Sequence, residues 1–357
     1  MSDSTTQAAG SRLLLNLAAV VVVVAGLRAA ADLLVPVFLA AFLAVLCAPP
    51  MFWMMRRKVP QVLAVLLVAA GISLVLLAVA ALVGSAAADF TASLPEYKAR
   101  FSALTGGLLD WLSGMGLPAS APALREALDP GKALSMVGGM LGGLGNALAD
   151  FMLIVLTILF ILFEAASFPA KLRLLAGSRE TESPGFRKAA QDIIRYMVIK
   201  SWVSLATGLG VGIWLAAQGV KYPVLWAVLA FFLNFVPNIG SIIAAAPAVL
   251  LALVQLGGGA ALWAAAGFLL VNAVMGNVVE PKVMGKGLGL STLVVFLSLV
   301  FWGWVLGPVG MFLSVPLTMV LKIGLESRED TRWIAVLLGS EHGLPPAADV
   351  DEAKDAA

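Results

Sequence analysis

The sequence contains almost no cysteine and almost no histidine. Of its 357 residues one is a cysteine, Cys47, and one is a histidine, His342, which lies in the polar C-terminal tail. A disulfide framework or a cysteine-based metal site within one chain is therefore excluded. A zinc site built on paired histidines is excluded too, as is a serine nucleophile activated by a histidine inside an apolar segment. We expect no metal and no cofactor.

Charged residues are also scarce. They make up 12% of the chain, whereas hydrophobic residues make up 61% and the mean hydropathy is +0.99. An ordinary soluble domain is about 25% charged and about 45–50% apolar. Because the apolar residues come in long runs, one water-soluble core of this size cannot bury them all. The composition excludes a soluble enzyme and predicts a polytopic all-α membrane protein in a lipid bilayer. The net charge of +2 gives no indication of nucleic-acid binding, and none is expected.

Eight apolar runs follow one another along the chain. Six are single spans, at 13–27, 33–55, 62–88, 147–163, 198–217 and 260–279. The first is predicted to form a transmembrane hairpin with the second rather than a signal peptide, because the second run follows at once. The other two, 223–253 and 291–323, are about 31 and 33 residues long and contain internal proline and glycine. Since about 20 residues cross a bilayer, each is predicted to be a broken or re-entrant helical hairpin.

The distribution of lysine and arginine predicts the orientation of the chain. These residues concentrate in loops 54–60 and 164–200, which are therefore expected in the cytoplasm together with both termini. Lys282 and Lys286 also lie on the cytoplasmic side if the two long runs are re-entrant. Eight plain crossings are the alternative, and they would place these two lysines outside. The predicted organisation is an N-terminal hairpin and third span (1–88), an extracytoplasmic amphipathic segment (89–146), a transport core (147–323) and a partly disordered cytoplasmic tail (324–357).

The two broken hairpins resemble each other. The first has Pro237 and Gly240 at its break, and the second has Pro308 and Gly310. Each follows a single span, and the predicted topology gives the two units opposite orientations. Inverted repeats with broken helices are typical of secondary transporters, which place the substrate near the breaks. Simple loops between short spans are the alternative.

Three motifs resemble one known family. They are Phe-Leu-Asn-Phe-Val-Pro-Asn-Ile-Gly-Ser at 232–241, Asn-Val-Val-Glu-Pro-Lys-Val-Met-Gly at 277–285, and Phe-Trp-Gly-Trp-Val-Leu-Gly-Pro-Val-Gly-Met-Phe-Leu-Ser-Val-Pro-Leu at 301–317. In this order, over about 195–325, they resemble the autoinducer-2 exporter (AI-2E) family of bacterial membrane proteins, which includes PerM-like permeases. The resemblance implies a small-molecule transporter of the bacterial inner membrane. Some members are linked to signal export and others to Na⁺/H⁺ exchange, so the substrate stays open.

Glu280 is the foremost candidate for a coupling residue. It stands at the end of the 260–279 span, with Asn272 and Asn277 on or near the same helix face. A carboxylate beside amides at a membrane boundary can bind a cation or carry a proton. An interfacial salt bridge to Lys282, or a cap ahead of Pro281, is the alternative interpretation.

The breaks supply the other candidates for substrate or ion binding. Asn234 and Asn238 flank Pro237, whose missing N–H frees a backbone carbonyl. Their amides either satisfy freed backbone groups or face a polar substrate. The remaining candidates are Gly240 and Ser241 at the first break and Gly307, Pro308 and Gly310 at the second. Lys200 is interpreted as an anchor that reaches the membrane surface, and the glycines at 208, 210 and 212 as helix-packing positions.

The sequence favours a secondary transporter with ion-gradient coupling, acting on a small molecule such as autoinducer-2. It contains no nucleotide-binding motif. A cation/proton antiporter using Glu280, or a non-transporting membrane interaction protein, are the alternatives. An intramembrane protease is excluded, because the apolar spans lack a histidine and no Gly-x-Gly-Asp motif occurs. Homo-oligomer formation is left open.

Overall fold

Every regular element of the structure is helical. The structure is a computed structural model that describes residues 3–115, 139, 151–175, 184–237, 239–284, 289–327 and 329–339, and no strand occurs among them. The helices are α1 (Asp3–Ala29), α2 (Ala31–Arg56), α3 (Gln61–Gly114), α4 (Phe151–Leu175), α5 (Pro184–Ala217), α6 (Pro223–Leu233), α7 (Gly240–Leu256), α8 (Gly258–Val274), a π-helix (Met275–Val279), α9 (Glu280–Met284), α10 (Thr292–Glu326), a short 3₁₀ turn (Glu329–Thr331) and α11 (Arg332–Leu337).

The fold is that of a polytopic membrane protein. Within the described part of the chain, five helical segments are long and apolar enough to cross a membrane: Ala31–Arg56, Gln61–Gly107, Gln191–Ala217, Gly258–Met284 and Thr292–Glu326. Four shorter apolar helices accompany them: Leu17–Ala29, Phe151–Ser167, Pro223–Leu233 and Gly240–Leu256. The predicted all-α membrane class is confirmed. The count of six full crossings and the orientation stay predictions.

The chain forms two compact units. The terminal unit consists of Met1–Ala44 and Gly289–Ala357, and the central unit of Val45–Leu288. The two long apolar runs therefore belong to different units. The inverted relation between them and the four-segment organisation inferred from the sequence stay predictions.

Helix α3 is much longer than a membrane span. It has 54 residues, about 81 Å at 1.5 Å per residue, and it continues without interruption past Ala88. Val83, Phe90 and Tyr97 recur at intervals of seven and are all buried, so they share one helix face. This face packs into the core of the central unit together with α5, α6, α7 and α8. The amphipathic stretches recognised at the start of 89–146 are thus the continuation of a single helix.

Small residues let α5 approach its neighbours closely. A Cβ atom added at Gly208 would lie 2.6 Å from the carbonyl oxygen of Ala227 in α6, and one at Gly212 would lie 2.8 Å from the Cβ of Ala227. Gly210 lies on the face of α5 towards α8, where an added Cβ would lie 3.3 Å from Cγ1 of Val271. The packing role predicted for these glycines is confirmed.

The long run of the terminal unit is a hairpin. Its direction changes at Gly307, whose φ of 70° and ψ of −154° are not helical. The indole Nε1 of Trp302 donates a hydrogen bond of 3.0 Å to Oγ1 of Thr318, 16 residues further along. Those residues would lie about 24 Å apart along a straight helix. The predicted break at this position is confirmed.

The long run of the central unit breaks over residues 234–239, between α6 and α7. Gly240 follows the break and packs against the carbonyl oxygen of Leu233, so that any Cβ would overlap that oxygen. At the other break, Gly310 packs in the same way against the carbonyl oxygen of Trp302. Each turn is therefore closed by a glycine that lies two or three residues after a proline.

Candidate functional site

Helices α5 and α8 run antiparallel in the central unit. Gly210 meets Val271 near the middle of the pair. Towards one end, Nε1 of Trp214 in α5 donates a hydrogen bond of 3.0 Å to the carbonyl oxygen of Trp263 in α8. The opposite end holds Glu280, which follows the π-helix that continues α8.

A buried ion pair joins the two helices at that end. Nζ of Lys200 donates hydrogen bonds of 2.7 and 2.9 Å to Oε1 and Oε2 of Glu280. The lysine side chain is only 7% exposed and the glutamate 21%. Charges in such surroundings persist when they are paired and hydrogen-bonded. The interpretation of Lys200 as a surface anchor is therefore wrong. The partner of Glu280 is Lys200, whereas Lys282 is exposed.

The π-helix sets the position of Glu280. The backbone N–H of Glu280 donates to the carbonyl oxygen of Met275, five residues earlier. The following residue is Pro281, which has no N–H and would clash with a carbonyl one α-helical turn before it. The wider π-turn relieves this conflict. It also breaks the regular helical period from which a shared face of Asn272, Asn277 and Glu280 was predicted.

The two asparagines predicted beside Glu280 have different surroundings. Nδ2 of Asn272 donates a hydrogen bond of 2.8 Å to the carbonyl oxygen of Phe268 on its own helix. Asn277, within the π-helix, is exposed. The hydrogen bonds described for Glu280 come from Lys200 rather than from these amides.

A polar face of α5 continues from the ion pair. Lys200, Ser204 and Thr207 are all buried and follow the spacing of one helix face. Ser204, which is fully buried, accepts a hydrogen bond of 2.9 Å from Nδ2 of Asn234 at the first break. Thr207 donates within its own helix, to the carbonyl oxygen of Val203. Sequence analysis missed Ser204 and the role of Lys200, although polar residues at this spacing in an apolar helix were a usable signal.

The remaining candidates lie around the two breaks. At the first break Pro237 accepts a 2.7 Å backbone hydrogen bond from Ile239, and Ser241 is partly buried at the start of α7. Asn238 lies outside the described residues. At the second break Gly307 and Pro308 form the turn, within the terminal unit. Among the described residues, no group of three or more His, Cys, Asp or Glu side chains could hold a metal ion.

The arrangement has one clear chemical property. Removing the charge of Glu280 would leave the buried charge of Lys200 without its partner. Leaving one member of a buried pair alone costs about 3–5 kcal/mol. The two charges of the pair therefore depend on each other.

Comparison with known proteins decides the family. The profile of the AI-2E family transporter matches residues 17–328, nearly the whole described chain. The chain belongs to the AI-2E transporter family. The resemblance seen in the three motifs is thereby confirmed. The AI-2E family is one of membrane transporters, and both hairpin breaks and the Lys200–Glu280 pair lie within the matched region.

Relatives within the AI-2E family cover almost the same length. The AI-2 transport protein TqsA of Escherichia coli K12 is 41% identical over 329 residues, which are 92% of this chain and 96% of TqsA. A provisionally named transport protein of Haemophilus influenzae is 43% identical over 334 residues, with the same coverage. YhhT of Escherichia coli K12, also named provisionally as a transport protein, is 39% identical over 333 residues, 92% of this chain and 95% of YhhT.

Proposed function

We propose that this chain is a secondary transporter of the bacterial inner membrane that moves a small molecule and draws energy from an ion gradient. Membership of the AI-2E family supports membrane transport. The sequence has no nucleotide-binding motif, so an ion gradient is the simplest energy source. Because TqsA is named as an AI-2 transport protein, autoinducer-2 is the first substrate to test.

The observation that carries the coupling part of the proposal is the buried Lys200–Glu280 pair. In one state the carboxylate is ionised and holds the lysine. In the other it carries a proton, or a cation competes with the lysine for it. The lysine then favours a conformation in which it reaches water or another partner. A ligand that binds two conformations unequally shifts their populations, and this is what coupling requires.

In this proposal the polar face of α5 connects the ion pair to the first helix break, where the substrate binds. Asn234 at the first break bonds Ser204, one helical turn from Lys200. A polar substrate at the break would compete for these same groups. Movement of Lys200 and access to the break would then depend on one helix. In this proposal the Glu280 end of α5 and α8 faces the cytoplasm, as do both termini.

Transport assays in proteoliposomes test the proposal. Purified protein is reconstituted, autoinducer-2 is supplied on one side, and proton or sodium gradients are imposed in separate experiments. We expect flux to follow one of the gradients. In Glu280→Gln the coupled flux should fall at least about tenfold, the effect of losing about 1.4 kcal/mol of differential binding. Glu280→Asp should fall less and show a changed pH dependence.

The matched control is Glu96→Gln. Glu96 also forms an ion pair, with Arg100 at 2.7 Å, but both side chains are more than half exposed. We expect this variant to transport like the wild type. If Glu280→Gln kept both wild-type flux and wild-type pH dependence, Glu280 would not be the coupling residue.

A cation/proton antiporter is the second candidate, favoured by the same buried carboxylate. Vesicles loaded with a pH indicator and given a sodium gradient separate the two functions. An antiporter changes the internal pH without any organic substrate. A substrate transporter changes it only when the substrate is added.

A further inference from the structure

The α5–α8 pair has a cavity at the end remote from Lys200. The cavity measures about 310 Å³, and it is lined by Gly210, Ile213, Trp214, Ala217, Gln218 and Trp263. All of these residues belong to the central unit. The transport proposal assigns no role to this cavity.

Gln218 is the polar group of the cavity. Its side-chain Nε2 and Oε1 atoms are both buried, and neither has a hydrogen-bond partner in the described part of the chain. A buried amide left without partners is costly, because it loses its bonds to water and gains none. The amide of Gln218 thus has two N–H donors on Nε2 and an acceptor oxygen, Oε1, that a polar ligand could satisfy.

The walls of the cavity are aromatic and apolar. The rings of Trp214 and Trp263 are stacked at a tilt of 36°, with 5.1 Å between their centroids. The indole N–H of Trp214 is already bonded to the carbonyl oxygen of Trp263. Ile213 and Trp263 are 69% and 59% exposed, so the cavity opens sideways onto an apolar surface rather than into the protein.

The depth of the cavity matches a membrane interface. From Lys200 to Gln218 the chain advances 18 residues, about 27 Å along a helix. The hydrocarbon core of a bilayer is about 30 Å thick. A crossing of the bilayer by α5 would place Lys200 and Gln218 near opposite boundaries of the membrane. Tryptophan collects at these boundaries, where the ester groups of the lipids are found.

We propose that this groove binds one phospholipid of the surrounding bilayer. Its acyl chain lies along the two indole rings. An ester carbonyl accepts a hydrogen bond from Nε2 of Gln218, and a headgroup N–H or O–H donates to Oε1. This chemistry favours an ethanolamine headgroup over a choline headgroup, which has no N–H donor. The site is independent of the substrate that the protein carries.

Native mass spectrometry of the full chain tests this site. Detergent-solubilised protein is titrated with phosphatidylethanolamine or with phosphatidylcholine of the same acyl chains, and the single-lipid adduct is measured. We expect the wild type to retain ethanolamine lipid more strongly. Gln218→Leu should weaken that retention about tenfold, the effect of about 1.4 kcal/mol of lost hydrogen bonding, and so abolish the preference. Trp263→Ala should weaken retention of both lipids.

The control is Gln191→Leu, the same change at an exposed position of α5. It should leave both adducts unchanged. Equal retention of the two lipids by the wild type, or unchanged retention in Gln218→Leu, would overturn the proposal. A change of oligomeric mass in Gln218→Leu would also overturn it, since a second copy of the chain would then cover the groove.

Discussion

At the scale of single residues, the site is defined by a lysine that is buried in the protein beside its partner. Nζ of Lys200 contacts both carboxylate oxygens of Glu280, and few of its atoms reach solvent. A pair of this kind contributes little net stability compared with apolar residues of the same size. The pair does make the stability of the protein sensitive to the loss of either charge. Such sensitivity suits a pair that changes between two states during transport, as we propose.

Removing one member of the pair should cost more than removing both. We expect Lys200→Met and Glu280→Gln each to lower the free energy of unfolding by about 3 kcal/mol, because one charge stays buried alone. The double variant should recover most of the loss. Thermal unfolding in detergent measures all three. Arg100→Met serves as the control, because an exposed pair is worth about 1 kcal/mol or less. Additive losses in the double variant would show that the charges do not interact.

At the scale of helices, the sequence predicts the breaks well and the contacts between helices poorly. Runs of about 31 and 33 mostly apolar residues with internal proline and glycine are too long for one crossing, so both hairpins could be predicted. The length of α3 was not predicted, because the polar residues after Ala88 resemble a loop. The seven-residue recurrence of Val83, Phe90 and Tyr97 is the sequence pattern that indicates a continuing helix.

In the candidate site, too, single residues could be predicted from the sequence but their contacts could not. Glu280 could be singled out because a carboxylate at a membrane boundary is unusual. Its partner lies 80 residues earlier, and their contact depends on the antiparallel packing of α5 and α8. The π-turn before Pro281 also changes the direction of Glu280 in a way that a regular helical period does not predict.

The glycine that closes the first break gives a prediction at this scale. Gly240→Ala places a methyl group on the carbonyl oxygen of Leu233, so the backbone of the turn must shift. We expect a loss of about 1–3 kcal/mol in stability, the usual cost of overpacking. Gly258→Ala, where an added Cβ meets nothing within 4 Å, should be neutral or slightly stabilising. Thermal unfolding of the two variants decides this, and equal melting temperatures would argue against a closely packed turn.

At the scale of the whole molecule, the central unit has two chemically different ends. One end carries Lys200 and Glu280. At the other end, Gln255 of α7 donates a hydrogen bond of 3.2 Å to the hydroxyl of Tyr97 and accepts one of 3.1 Å from the backbone of Lys221. Lys221 follows closely after α5 ends, so Tyr97 lies on the side of the unit that is remote from Lys200. If the Glu280 end faces the cytoplasm, this part of α3 must lie outside.

Labelling of single cysteines tests this arrangement. Glu96→Cys and Lys282→Cys are made in a Cys47→Ala background, because the native thiol is the only one in the sequence. Both target side chains are exposed. In intact cells we expect a membrane-impermeant maleimide to label position 96, and to label position 282 only after the membrane is opened. The reverse result would keep the fold and overturn the proposed orientation. Labelling of both positions from the same side would contradict a central unit that spans the membrane, because the structure places them at its opposite ends.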